Sequence, residues 1–146
     1  MAEVKISELT AKGSNLETSD LLIISKSDGS GGYDSKYITG AELTNVTIVN
    51  KTASYTLVLA DANKLIEVNN GSANTLGVPL NSTDAFPIGT QILVAQQGAG
   101  QTTITPVSGV TLRSSGGKLK IAAQYGIATL IKRATDEWYV AGDLTT

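Results

Sequence analysis

Hydrophobic residues in this chain come mostly in short alternating runs, broken by Gly, Asn, Asp and Ser about every ten residues. That is the period of strands and turns rather than of helices. Tyr55, Leu57 and Leu59 alternate, and Asp61-Ala62-Asn63 turns the chain. Leu65 to Val68 follows, then Asn70-Gly71, a strong turn pair. Leu76, Val78 and Leu80 share one face of the next strand. Thr90 to Gln96 (TQILVAQ) is apolar on both faces, which places it centrally in a sheet. Gly98-Ala99-Gly100 reads as a hairpin turn into Gln101 to Thr105. Val110 with Leu112, Leu119 with Ile121, Ile127 to Arg133 and Glu137 to Ala141 complete the set, with a turn over Ser114 to Gly117. Some ten short strands predict an all-β domain over 46–146, an antiparallel β-sandwich of jelly-roll-like form.

Residues 1–45 follow a different pattern. Short apolar clusters (Val4, Ile6 and Leu9, then Leu21, Leu22, Ile23 and Ile24) alternate with polar and glycine-rich stretches. Ser25 to Asp34, SKSDGSGGYD, has the composition of a flexible loop. Thr39-Gly40-Ala41-Glu42-Leu43 predicts one helical turn, with Thr39 as N-cap and Glu42 three residues on. With too few apolar residues for a core of its own, the segment is expected to be mostly irregular and to pack on the main domain, a neighbouring copy or a larger partner.

Composition sharpens this picture. The 146 residues suit one domain with a small appendage. Charged residues make up 16%, against the roughly 25% usual for globular domains, so Ser, Thr, Asn, Gln and Gly must supply the polar surface. Aromatics are 5%, which leaves a thin core of small and β-branched residues. Burial between identical subunits is the expected supplement, and it also covers exposed edge strands. Cys and His are both absent, removing disulfides, thiolate chemistry and the usual general base and metal ligand near neutral pH. A net charge of −2 gives no pull toward nucleic acid or anionic lipid. No apolar run is long enough for a membrane helix, and MAEVKISELTAKG lacks the apolar stretch of a signal peptide, so synthesis in a cytoplasm is expected.

No stretch carries recognisable catalytic or cofactor chemistry. The run from Gly98 to Thr103 lacks the lysine and following helix of a phosphate loop. Asp28 to Asp34 lacks the oxygen spacing and terminal Glu of a calcium loop. Asp136 and Glu137 are adjacent, so on a strand they point to opposite faces; a turn before Trp138 suits them better. Asp20, Asp61 and Asp84 also fall at turn positions, and a serine triad has no histidine. Neither a metal nor a cofactor is expected. Four Asn-X-Ser/Thr triplets, at Asn45, Asn50, Asn70 and Asn81, matter as glycosylation sites only after secretion. Lys118 and Lys120, with Arg113, Lys132 and Arg133, are read as a solvated basic strand face. Tyr125, Trp138 and Tyr139 are the candidates for a subunit interface or for stacking on sugar rings, with Trp138 able to turn inward beside Val140.

The order of several motifs resembles a module found in bacteriophage virion appendage proteins. They are LADANKLIEVNN (59–70), LGVPLNS (76–82), PIGTQILVAQQGAGQTTITP (87–106), GVTLRSSGG (109–117) and QYGIATLIKRATDEWYVAGDL (124–144). KISELTAKGSNLETSDLLIISKSDGSGGYDSKYITGAEL (5–43) is similar to the attachment segments that open many phage appendage and decoration proteins. The resemblance implies a non-enzymatic virion component, a homotrimer held to the major capsid or tail protein by its N-terminal part. The expected function is a capsid-decorating or short head-fibre protein, because 146 residues hold no long fibrous repeat. Particle attachment then falls to Ile6, Leu9 and Leu21 to Ile24. The rival expectation is a tail-fibre or carbohydrate-binding module that recognises a bacterial surface glycan through Tyr125, Trp138 and Tyr139.

Overall fold

The computed structural model describes residues 21–27, 33–39 and 45–146. The chain divides into two units, Met1–Asn45 and Val46–Thr146. In the first, β1 (Leu21–Ser27) and β2 (Tyr33–Thr39) pair antiparallel, from Leu21 opposite Thr39 to Ser27 opposite Tyr33. Within the segment expected to be mostly irregular, 21–27 and 33–39 are therefore paired strands, and they take in Ser25 to Ser27, Tyr33 and Asp34 of the expected loop. Ile, Tyr and Thr favour extended backbone. Ile6, Leu9 and most of the expected helical turn at 39–43 lie outside the described residues, while Thr39 itself closes β2.

The second unit is built on two sheets. One has six strands in the order β3 (Ile48–Lys51), β5 (Leu65–Val68), β7 (Gln91–Gln96), β11 (Ile127–Ala134), β12 (Glu137–Gly142) and β9 (Thr111–Ser114). The other has five, in the order β13 (Leu144–Thr145), β10 (Lys120–Ile121), β8 (Thr102–Pro106), β6 (Asn74–Val78) and β4 (Tyr55–Thr56). From β3 to β8 each successive strand crosses to the other sheet, and same-sheet neighbours there run parallel. The chain therefore winds as a coil with two strands per turn. Antiparallel pairing appears only where the winding ends, at β7–β11–β12 and β8–β10–β13, and β9 then joins β12 in parallel.

The all-β expectation holds, but these sheets are mixed, and the pairings do not trace a purely antiparallel jelly roll. The reason lies in the turns. Asn-Gly and Gly-Ala-Gly reverse the chain equally well within one sheet or between two. The turn at Gly98-Ala99-Gly100 is such a corner, since β7 and β8 belong to different sheets. The strand expected through Leu59 stops at Thr56, and Leu59–Asp61 forms a 3-10 turn with Leu59 exposed.

Strand alternation places the core between the sheets. Ile66, Val68, Ile92, Val94, Ala128, Leu130, Trp138 and Val140 come from the six-stranded sheet. They meet Leu76, Val78, Ile104 and Ile121 of the other, with Leu57 and Phe86 from connecting segments. β7 is an interior strand, as its two apolar faces predict. Phe86 stands edge-on to Trp138, with ring centroids 5.3 Å apart.

The coil is held at its corners as well as by its core. Gly98 N–H donates to the Val68 carbonyl at 3.0 Å, and Gly100 N–H to the Asn70 carbonyl at 2.9 Å. The corner at 97–100 thus stacks on the corner at 70–72. A Cβ on Gly98 would overlap the Asn70 backbone, and one on Gly100 that of Ser72, so close approach demands glycine at both. Buried side chains complete the stack. Asn74 Nδ2 donates to the Ser72 carbonyl at 3.1 Å, and Gln96 Oε1 accepts from Thr102 N–H at 2.9 Å.

Candidate interaction surface

The outer face of the six-stranded sheet carries apolar residues that the core does not use. Strand register aligns Ile48, Leu65, Leu93, Thr129 and Ala141 in one row. A second row runs through Gln91, Ile131, Tyr139 and Arg113. Ile48 is 59% exposed, Ile131 37% and Tyr139 47%, with Ile127 also exposed on the same side of β11. Leu65 and Leu93 are half-buried between them.

A charged group borders these rows where β9 meets β12. Glu137 accepts from Arg113 Nε and from an Arg133 terminal nitrogen, both at 2.6 Å. Both arginines are well exposed. Hydrogen bonding by Arg113, aided by the charge of Arg133, holds the Glu137 carboxyl below its ordinary value. Arg133 is the extra residue of a bulge, for Lys132 pairs with Trp138 but Ala134 pairs with Glu137. Its guanidinium lies 5.7 Å from the Tyr139 ring centroid. Beside it, a depression of about 540 Å³ is lined by Arg113, Ser114, Ser115, Tyr139, Val140 and Ala141 among others. Ser114 Oγ is buried and has no hydrogen-bond partner. A smaller hollow of about 300 Å³ adjoins it, reaching Lys118, Gly142 and Leu144.

The three aromatic candidates do not come together. Trp138 is 1% exposed and belongs to the core, so it offers no ring to a sugar or a neighbouring subunit; its place beside Val140 is the inward alternative. Tyr125 is 74% exposed on a left-handed turn (φ 67°), and its N–H donates to the Gln96 carbonyl at one end of β7. Tyr139 lies in the row that crosses the other end of β7, at Gln91. Five strand residues span roughly 16 Å, too far for one stacking platform. Of the attachment candidates, Leu21 to Ile24 form the start of β1.

The expected basic face is also divided. Arg113 and Arg133 share Glu137, Lys118 lines the smaller hollow, and Lys120 lies in β10 between Thr103 and Thr145. Lys132 does not belong to a solvated face: it is 2% exposed, on the inward side of β11 with Ala128 and Leu130. Its amine donates to Asn81 Oδ1. Strand parity was the signal for this placement, because 128, 130 and 132 share one face. Asp61, Asp84 and Asp136 each accept from a backbone N–H, and Asp61 also from a phenol. Asp61 Oδ2 accepts from Tyr55 Oη at 2.8 Å and Val58 N–H at 2.9 Å, Asp84 from Leu59 N–H at 2.8 Å, and Asp136 from Asn81 N–H at 2.7 Å. Among the described residues no three His, Cys, Asp or Glu side chains gather as a metal site.

No protein-family model matches the chain, and no curated protein matches it.

Proposed function

We propose that this chain is a non-enzymatic structural protein of a bacteriophage virion, a capsid-decorating or short head-fibre protein. It oligomerises through residues 46–146 and attaches to the particle by residues 1–45. The observation that carries the reading is the apolar outer face of the six-stranded sheet, where Ile48, Ile127, Ile131 and Tyr139 are exposed on the same face as Leu65 and Leu93. A contiguous apolar patch of this kind marks a protein contact. The occupant assigned to it is a second copy of the chain, in the homotrimer that the resemblance implies. The major capsid or tail protein is the partner assigned to the N-terminal segment.

Mass measurement in solution tests the first part. Wild type is expected as a trimer, and Ile131→Lys with Tyr139→Lys as a folded monomer by circular dichroism. A trimer that survives both substitutions rejects this face. For attachment, a chain lacking residues 1–45 should stay folded and oligomeric but no longer sediment with virions; undiminished binding rejects the anchor.

The glycan-binding reading has one observation in its favour, the exposed Tyr139 ring beside the 540 Å³ depression. Binding on a glycan array that is lost in Tyr139→Ala favours that rival over a purely structural role.

A further inference from the structure

Of the asparagines in the chain, only Asn70 is followed by glycine. Glycine leaves the next amide nitrogen unshielded. Gly71 is exposed, a Cβ on it would meet nothing within 4 Å, and its N–H has no hydrogen-bond partner among the described residues. The Asn70 side chain is folded back beside that amide. Its Oδ1 accepts from Ser72 N–H at 2.9 Å, and the ring closed by this bond runs through Cγ and through the Gly71 nitrogen. The backbone of the same residue carries the corner stack. Gly100 N–H donates to its carbonyl at 2.9 Å, and Gly98 lies too close to it for any side chain.

We propose that Asn70 is a site of spontaneous modification, in which the Gly71 nitrogen attacks Asn70 Cγ and the residue becomes aspartate or isoaspartate. The bond from Gly71 N to Cγ forms, and the charge that develops on Oδ1 is met by the Ser72 N–H already directed at it. The Cγ–Nδ2 bond then breaks. The proton of the Gly71 amide reaches Nδ2 through water, and ammonia departs to leave a cyclic imide. Water, the only co-reactant, opens the imide at either carbonyl, and nothing is oxidised or reduced. Opening at Cγ gives aspartate with the backbone restored. Opening at the backbone carbonyl gives isoaspartate: the main chain now runs through Cβ and Cγ and is longer by one atom. The carbonyl that received Gly100 N–H has then left the main chain as a free carboxylate. The corner at 70–72 loses its register on the corner at 97–100, so this product is a weakened coil. The inference is independent of the virion reading.

Prolonged incubation of the full chain at mildly alkaline pH tests this, because the attacking nitrogen must shed its proton. Ion exchange should resolve a growing fraction with one more negative charge, each chain having lost one ammonia and gained one water. Peptide mapping should place the change at residue 70, with the isoaspartate labelled by an isoaspartyl methyltransferase. Gly71→Ala should fold as wild type does, by circular dichroism, and keep its original charge over the same period. The isoaspartate fraction should melt below fresh protein. Asn70→Asp, which adds the charge and keeps the backbone, should melt close to fresh protein. Folded wild type whose charge profile never changes overturns the proposal, as does a change mapped to other asparagines with Asn70 intact. Equal melting of the isoaspartate fraction and Asn70→Asp overturns the link to the corner.

Discussion

Gly100 donates its amide proton to the carbonyl of Asn70 across 2.9 Å, and that contact registers one corner of the coil on the next. Only a residue without a side chain allows it, because a Cβ would sit inside the Ser72 backbone. Gly100→Ala and Gly98→Ala should each destabilise the fold by roughly 3 kcal/mol, the upper range for forcing atoms into filled space. Gly71→Ala is the control. Its Cβ would meet nothing within 4 Å, so its thermal midpoint should stay close to wild type.

Alkaline stability should depend on Tyr55. Burial first, and the hydrogen bond to Asp61 second, raise its pKa from 10.0 to about 12. The unfolded chain releases this proton near 10 and the folded chain holds it to about 12, so the stabilisation is complete below 10 and lost between the two values. Tyr55→Phe should cost about 1–3 kcal/mol at neutral pH, the penalty for removing a partner from the buried Asp61 carboxylate. Denaturant midpoints of the two proteins should converge as pH rises through that window. A gap independent of pH would contradict the assignment.

At the acid end the corresponding group is Glu137. Its pKa lies below the ordinary carboxylate value, so its contribution is present above that value and fades as pH falls through the lowered one. Arg113→Ala should move the Glu137 titration, followed by carboxyl NMR, up toward 4.5. High salt should shift wild type the same way, because both arginines are exposed. A titration that neither change moves would exclude the arginines as the cause.

Trp138 is the single tryptophan, and it is buried. Its fluorescence should therefore be blue-shifted and resistant to acrylamide. Trp138→Ala should destabilise the fold by about 3–5 kcal/mol through the cavity it leaves, and the edge contact with Phe86 goes with it.

Strand positions were legible in the chain wherever apolar alternation was regular. Leu65 to Val68, Leu76 with Val78, Ile127 to Arg133 and Glu137 to Ala141 all fall within or against the strands observed. Their pairing was not legible. Asn70-Gly71 and Gly98-Ala99-Gly100 announce reversals, and nothing local tells a hairpin from a corner between sheets. That choice is made by stacking contacts between residues thirty positions apart, such as Gly98 with Val68. The candidate surface was legible in part. Tyr139 emerged as an exposed ring, while Trp138 followed its strand parity inward. The charge of Lys132 points to solvent while its register with Ala128 and Leu130 points inward, and the register prevails. The partner that makes burial tolerable, Asn81, is 51 residues away, and in the sequence it stands out only as part of an Asn-X-Ser/Thr triplet.

The winding topology also dictates when folding can begin. Within 46–146, β11 and β12 are the one pair of consecutive strands bonded to each other, and only residues 135 and 136 separate them. Every other pairing must first close a longer loop, at an entropic cost that slows it. A ribosome releases the coil segments first and this hairpin late, so the earlier strands emerge with no local partner and must wait. Productive folding of the domain is therefore expected to start only after residue 142 has been synthesised, from its C-terminal side backward.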